Sequence, residues 1–124
     1  MREEPLRVAL VDDSDLIRCR LAEMLGEICG VEIVAEAATA DDGVELIRLR
    51  QPDLVVLDMR MPGASGISVL ERLAHQDERP SFIVFTNYPH PAYRERCTEL
   101  GVDLFLDKSF DLEQLKEIVE RMAS

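Results

Sequence analysis

Four short apolar runs, each followed by polar residues on its C-terminal side, constrain this chain more than any other feature. Val8-Ala9-Leu10-Val11 leads into Asp12 and Asp13, Leu54-Val55-Val56-Leu57 into Asp58, Phe82-Ile83-Val84-Phe85 into Thr86, and Leu104-Phe105-Leu106 stops just short of Lys108. Runs without polar alternation are the pattern of strands buried on both faces, as in a parallel sheet covered by helices. Parallel pairing would bring three carboxylates, a hydroxyl and an ammonium to one edge. That carboxyl edge is where open α/β sheets keep their ligands.

Helical spacing fills the intervals. Ser14 opens a helix carried by Ile17, Leu21, Met24 and Ile28, and Gly30 stops it. Val31, Ile33 and Ala35 alternate with Glu32, Val34 and Glu36, which predicts a half-exposed strand at an edge. Thr39 to Asp42 is a capping box with a shorter acid, ahead of a helix built on Val44, Leu46 and Ile47 and ended by Gln51-Pro52-Asp53. Met61-Pro62-Gly63 reads as a turn, and Ile67, Leu70 and Leu73 predict a third helix running to about His75. Pro89 and Pro91 bracket a loop into a fourth helix, which ends at Leu100-Gly101. Asp111 caps a closing helix over Leu112, Leu115, Ile118, Val119 and Met122. Five strands alternating with five helices predict an α/β, flavodoxin-like three-layer sandwich, with a five-stranded parallel sheet in the order 2-1-3-4-5 and right-handed crossovers. In that order Asp12, Asp13 and Asp58 flank the crevice between the first and third strands.

The 124 residues suffice for one domain and hardly for two, and no linker, repeat or low-complexity segment interrupts them. The longest apolar stretches are too short to span a bilayer, and Met1-Arg2-Glu3-Glu4-Pro5 is polar where a secretory signal is apolar. The expectation is a cytoplasmic protein with no membrane partner. Cys19, Cys29 and Cys97 are odd in number and lack metal or redox spacing, so they read as reduced thiols, mostly packed as small hydrophobes. A net charge of −11, from 14 basic and 25 acidic residues, speaks against direct nucleic-acid binding, which needs a basic footprint.

Three ionised carboxylates some 4 Å apart repel by about 4 kcal/mol per pair at an effective dielectric near 20, which a small domain cannot easily carry. Either one acid stays protonated or a hard divalent cation sits among the oxygens, and Mg²⁺ suits a few carboxylates, a backbone carbonyl and retained waters. Lys108 supplies a further positive charge. A cation and an ammonium beside a carboxylate would also neutralise a phosphoryl group in transfer. Asp58, alone at its strand end, is the best candidate nucleophile, and Asp12 with Asp13 the better metal pair. Each residue alone has a blander reading: helix capping for Asp12-Asp13-Ser14, a turn for Asp58, a β-branched strand end for Thr86, a solvated charge for Lys108. Their recurrence at the same end of successive strands favours a site. His75, His90, Tyr88 and Tyr93 read as surface or packing residues, and Arg18, Arg20, Arg94 and Arg96 as solvated helix faces.

The phrases Val11-Asp12-Asp13-Ser14, Leu57-Asp58-Met59-Arg60-Met61-Pro62-Gly63, Thr86 and Gly101-Val102-Asp103-Leu104-Phe105-Leu106-Asp107-Lys108 together resemble the receiver domain of two-component response regulators. The resemblance runs from about Arg7 to Met122. It implies a phosphorylation-activated switch in which Asp58 accepts a phosphoryl group from the phosphohistidine of a sensor histidine kinase or a histidine phosphotransfer protein. It implies Mg²⁺ bound directly by Asp13, Asp58 and the carbonyl of Arg60, with Asp12 acting mainly through water. Lys108 would clamp the phosphate, Thr86 would hydrogen-bond it, and Phe105 would be the aromatic switch. Chemistry would be limited to self-phosphorylation and autodephosphorylation. Residues 1–124 are expected to form a single receiver domain without an output domain in this chain. Signalling would then pass to a downstream protein partner or output domain through the face of the fourth and fifth strands and helices.

Three departures from the family pattern carry expectations. Ser109 stands where Pro is common, which puts the family's usual cis peptide after Lys108 in doubt and leaves the isomer open. Asn87 is bulkier than the usual neighbour of Thr86 and would narrow access to Asp58. Phe105 lacks the hydroxyl of the frequent Tyr, so its switch would be apolar. Rival readings are an aspartyl-nucleophile phosphatase or mutase, an FMN binder, and a phosphorylation-independent pseudo-receiver. The first would want Asp-x-Asp where the chain has Asp12 and Ser14, and the second would have its phosphate repelled by Asp12-Asp13.

Overall fold

Strands buried on both faces must sort their side chains between two helical layers, and the period of two does this along every central strand. In the computed structural model, which describes residues 3–87 and 90–124, the main sheet comprises β1 (Leu6–Val11), β2 (Val31–Ala37), β3 (Leu54–Leu57), β4 (Ser81–Thr86) and β5 (Leu104–Asp107). Their order is β2-β1-β3-β4-β5, all parallel, as the alternation of elements predicts. Ala9, Val11, Val55, Leu57, Phe82 and Val84 turn to one side of the sheet; Leu6, Val8, Leu10, Leu54, Val56, Ile83 and Phe85 turn to the other.

The first set packs against α2 (Ala40–Arg50), α3 (Gly66–Leu73) and α4 (Pro91–Glu99), through Val44, Ile47, Val69, Leu70, Leu73 and Cys97. The second packs against α1 (Asp15–Gly26) and α5 (Leu112–Ala123), through Leu21, Leu25, Leu115 and Val119. The sandwich therefore has three layers. Helix starts follow the sequence signals: the Ser14 hydroxyl accepts from the Ile17 N–H and Thr39 from the Asp42 N–H. β2 is the half-exposed edge strand, with Val34 as an extra residue, because Val8 lies opposite Ile33 and Ala9 opposite Ala35.

Four expectations need correction. Met61-Pro62-Gly63 is more than a turn: Arg60–Met61 and Ala64–Ser65 pair antiparallel as a two-residue ribbon, with Gly63 at φ 80° behind Pro62. The third helix ends at Leu73, so His75 lies beyond it. Asp111 stands at the start of α5 but its carboxylate turns back to accept from the Asp107 N–H at 2.8 Å and does not cap the helix. Only Cys97 among the three thiols is buried, and burial pushes it up to about 11; Cys19 and Cys29 are exposed. Among the described residues no peptide is cis, and no helix is long and apolar enough to cross a membrane. Tyr88 and Pro89 lie outside the described residues.

Candidate functional site

The first and third strands end side by side, and their registers fix where the acids stand. Val11 pairs with Leu57, and the Asp58 N–H donates to the Val11 carbonyl at 2.9 Å, so Asp12 and Asp58 leave the sheet together. β4 runs two residues past Val84, the partner of Leu57, to Thr86, which pairs with Asp107, and the Lys108 N–H donates to the Thr86 carbonyl at 3.0 Å. Asp12, Asp58 and Thr86 are 3%, 4% and 0% exposed, which is unusual burial for two carboxylates. Lys108 is what makes it tolerable. Its Nζ forms an ion pair with Asp12 Oδ2 and lies 3.2 Å from Asp58 Oδ2.

The two adjacent acids are not equivalent. Asp12 is engaged on every side: its N–H donates to the Ala37 carbonyl at 3.0 Å, Oδ1 accepts from the Ser14 N–H at 2.9 Å, and Oδ2 holds Lys108. Asp13 is exposed. One carboxylate oxygen from each of Asp12, Asp13 and Asp58 lies within 4.8 Å of the others. Burial holds the Asp58 carboxyl above the usual 3.8; Lys108 opposes this, Asp12 adds to it, and hydrogen bonding from Lys108 and Thr86 eases it slightly. Asp58 Oδ1 is buried without a hydrogen-bond partner of good geometry. A buried carboxylate with one orphaned oxygen, clustered with two other carboxylates, is a hard-donor set, and these residues fit a small divalent cation. Beside it a cavity of about 370 Å³ is lined by Asp13, Arg60, Met61 and Pro62. A roomier one of about 460 Å³ lies between α1 and α5, far from this chemistry.

The loop after β5 aims Lys108. Asp107 Oδ1 accepts from the Ser109 N–H at 2.7 Å, a bond that a proline there could not make. The Ser109 hydroxyl reaches Asn87 Oδ1 at 3.4 Å, tying this loop to the one after β4. Asn87 itself is exposed. Phe105 is half-buried against the layer that holds Cys97, with the Arg94 guanidinium 5.4 Å from its ring centre. Arg60 occupies the ribbon beside Asp58 and is exposed.

Thus Asp12, Asp13, Asp58, Thr86 and Lys108 converge, Arg60 borders them, and Phe105 stands one strand residue from Leu106 behind them. His75 and His90 take no part; His90 Nδ1 caps α4 by accepting from the Ala92 N–H. Arg18 departs from the expected solvated face. Its side chain is only 16% exposed, and Nη1 donates to the Asp12 carbonyl at 2.6 Å. A signal was available: a cation in the first turn of a helix opposes the helix dipole and implies a specific partner. Arg94 and Arg96 also have partners, Phe105 for one and Glu71 with Glu99 for the other.

A family profile for the response regulator receiver domain matches residues 8–120. The chain belongs to the receiver-domain family. Relatives include the transcriptional regulatory protein PdtaR of Mycobacterium tuberculosis, 38% identical over 97% of this chain and 58% of the relative. The nitrate/nitrite response regulator NarL of Escherichia coli is 27% identical over 98% of this chain and 56% of the relative. This receiver chain spans little more than half the length of these curated relatives. Among solved structures, the signal receiver domain of a response regulator NarL from Mycobacterium tuberculosis superimposes with a TM-score of 0.87 at 28% identity, covering 97% of both chains. A LuxR-family response regulator from an Aurantimonas species matches with a TM-score of 0.87 at 29% identity, over 97% of this receiver and 86% of that chain.

Proposed function

We propose that this receiver domain is a phosphorylation-activated switch whose phosphoryl acceptor is Asp58. The single observation that supports it best is the Asp58 carboxylate itself: buried, one oxygen on Lys108, the other without a hydrogen bond, and the group clustered with Asp12 and Asp13. A carboxylate oxygen attacks the phosphorus of a phosphohistidine; the P–N bond breaks and its electron pair returns to the imidazole, which takes up a proton. The donor is a sensor histidine kinase or a histidine phosphotransfer protein. Asp13, Asp58 and the Arg60 carbonyl would hold Mg²⁺, with Asp12 acting through water. When bound, Mg²⁺ supplies charge neutralisation for the transferring group.

Lys108 already bridges Asp12 and Asp58, so a short movement of Nζ pairs it with a phosphoryl oxygen. Thr86 donates its hydroxyl to the same group, and Phe105 follows inward, altering the face of β4, α4, β5 and α5. Water attack on the acyl phosphate resets the switch. Output passes to a downstream protein or to an output domain, consistent with the greater length of the relatives, and the net charge of −11 favours protein contact over direct nucleic-acid contact. The setting is cytoplasmic.

Incubation with Mg²⁺ and a small acyl phosphate, followed by intact mass measurement, tests the reading. One added phosphoryl group is expected, absent in Asp58→Asn and absent with chelator. Uptake that survives either change would assign the chemistry elsewhere. A phosphorylation-independent interaction platform is the second reading, favoured by the pairing of Lys108 with both Asp12 and Asp58. No uptake in the wild type would select it.

A further inference from the structure

Arg18 is a costly residue to place where it is. It lies in the first turn of α1, against the helix dipole, with its side chain largely buried. Its guanidinium reaches groups from three elements: Nη1 donates to the Asp12 carbonyl at 2.6 Å, Nη2 to Asp15 Oδ1 at 2.5 Å, and Nε faces Glu36 Oε1 on β2 at 3.7 Å. That last distance is too long for a hydrogen bond, and Nε is left buried and unpartnered. A brace built for stability alone would close that bond. The pose is set instead by the Asp12 carbonyl and Asp15.

The Asp12 carbonyl belongs to the peptide unit that joins Asp12 to Asp13. A peptide unit is planar, so fixing its oxygen fixes the direction in which the Asp13 backbone departs. Asp12 is held by its own bonds to Ala37, Ser14 and Lys108, whereas Asp13 is exposed and takes its position from the backbone. We infer that Arg18 is a positioning residue for the cation and phosphoryl site, orienting the Asp12–Asp13 peptide so that the Asp13 carboxylate stands at coordinating distance from Asp58. This rests on the proposed function in one respect, that the acid cluster binds Mg²⁺.

Charge and positioning push the affinity in opposite directions. A guanidinium beside the cluster repels a divalent cation, so its removal on charge grounds alone would tighten Mg²⁺ binding. Loss of an outer partner that orients a ligand weakens binding, about tenfold or more in comparable metal sites. Lysine keeps the charge but cannot span the Asp12 carbonyl and Asp15 with one planar fork.

Mg²⁺ titration of wild type, Arg18→Ala, Arg18→Lys and Glu36→Gln, followed by calorimetry and by the amide shifts of Asp13 and Asp58, decides the matter at a temperature well below each melting point. Both Arg18 variants are expected to lose about tenfold in Mg²⁺ affinity, with no rescue by lysine, while Glu36→Gln binds as wild type. Unchanged or tighter binding in Arg18→Ala, or wild-type binding in Arg18→Lys, overturns the inference and leaves Arg18 a charge or a brace. If Arg18→Ala does not fold, Arg18→Lys alone decides by the same criterion. A wild type that binds no Mg²⁺ overturns the function proposed for the site and this inference with it; a wild type that binds while all variants match it overturns this inference only.

Discussion

At the scale of single residues, three aspartates within one cluster do three different jobs, and their substitution separates them. Asp58 is the strained member, since burial raises its pKa above 3.8. The folded state then binds the proton more tightly than the unfolded chain, so stability falls as pH rises from about 3.8 through the folded value. Metal-free Asp58→Asn escapes that fall. It should melt higher than wild type at neutral pH, by an amount on the order of 1 kcal/mol or about 4 °C, with the advantage shrinking as pH approaches 3.8. Melting curves in chelator across that range check it, and a lower melting point at neutral pH would show that the Lys108 contact outweighs the burial. Asp12→Ala should go the other way, by about 2 kcal/mol, because it strips the Ser14 N–H of its acceptor and Lys108 of its closer partner. Asp13→Asn, at an exposed position, should change metal-free stability little while weakening Mg²⁺ binding in the same titration.

At the scale of elements, the passage from β3 to α3 leaves no room for a side chain at Gly66. Gly66 opens α3 against the backbone of Asp58: a Cβ there would lie 2.3 Å from the Asp58 carbonyl oxygen and 2.5 Å from Met59 Cε. Its N–H closes the ribbon onto the Met59 carbonyl at 2.8 Å. Gly66→Ala should therefore cost about 3 kcal/mol and shift the Asp58 amide resonance, whereas Gly63→Ala meets no atom within 4 Å and suffers only from its positive φ. Across the sheet, Thr86→Ala should leave phosphorylation largely intact while weakening the response. Moving a switch from mostly off to mostly on takes about 5.5 kcal/mol, more than one hydrogen bond supplies but within reach of several charged contacts acting together. Amide shifts along 82–108 with beryllofluoride check this, and equal shifts in wild type and variant would break the proposed link. The strands were legible in the sequence because burial on both faces leaves continuous apolar runs, and the acids, Thr86 and Lys108 because each follows such a run. The ribbon was not, since two-residue strands have no period to read. Arg18 was legible only in part: a cation near the start of a helix implies a partner, but which partner cannot be read until the Asp12 carbonyl is known to lie beneath it; Asp111 looked like a cap for the same want of tertiary context.

At the scale of the whole molecule, the sheet order places β1 in contact with both β2 and β3, and β4 and β5 outside them. The N-terminal half thus builds β2-β1-β3 and both acid-bearing strand ends, while the compensating ammonium follows β5. During synthesis the ribosome delivers both Asp12 and Asp58 well before Lys108, which lies 50 positions beyond Asp58. Until β5 is added these two carboxylates have no ammonium to be buried against, and completing the sheet supplies it. Docking of the C-terminal strand is thus driven by charge as well as by apolar contact, and the step that closes the sheet also brings the counterion to the acids.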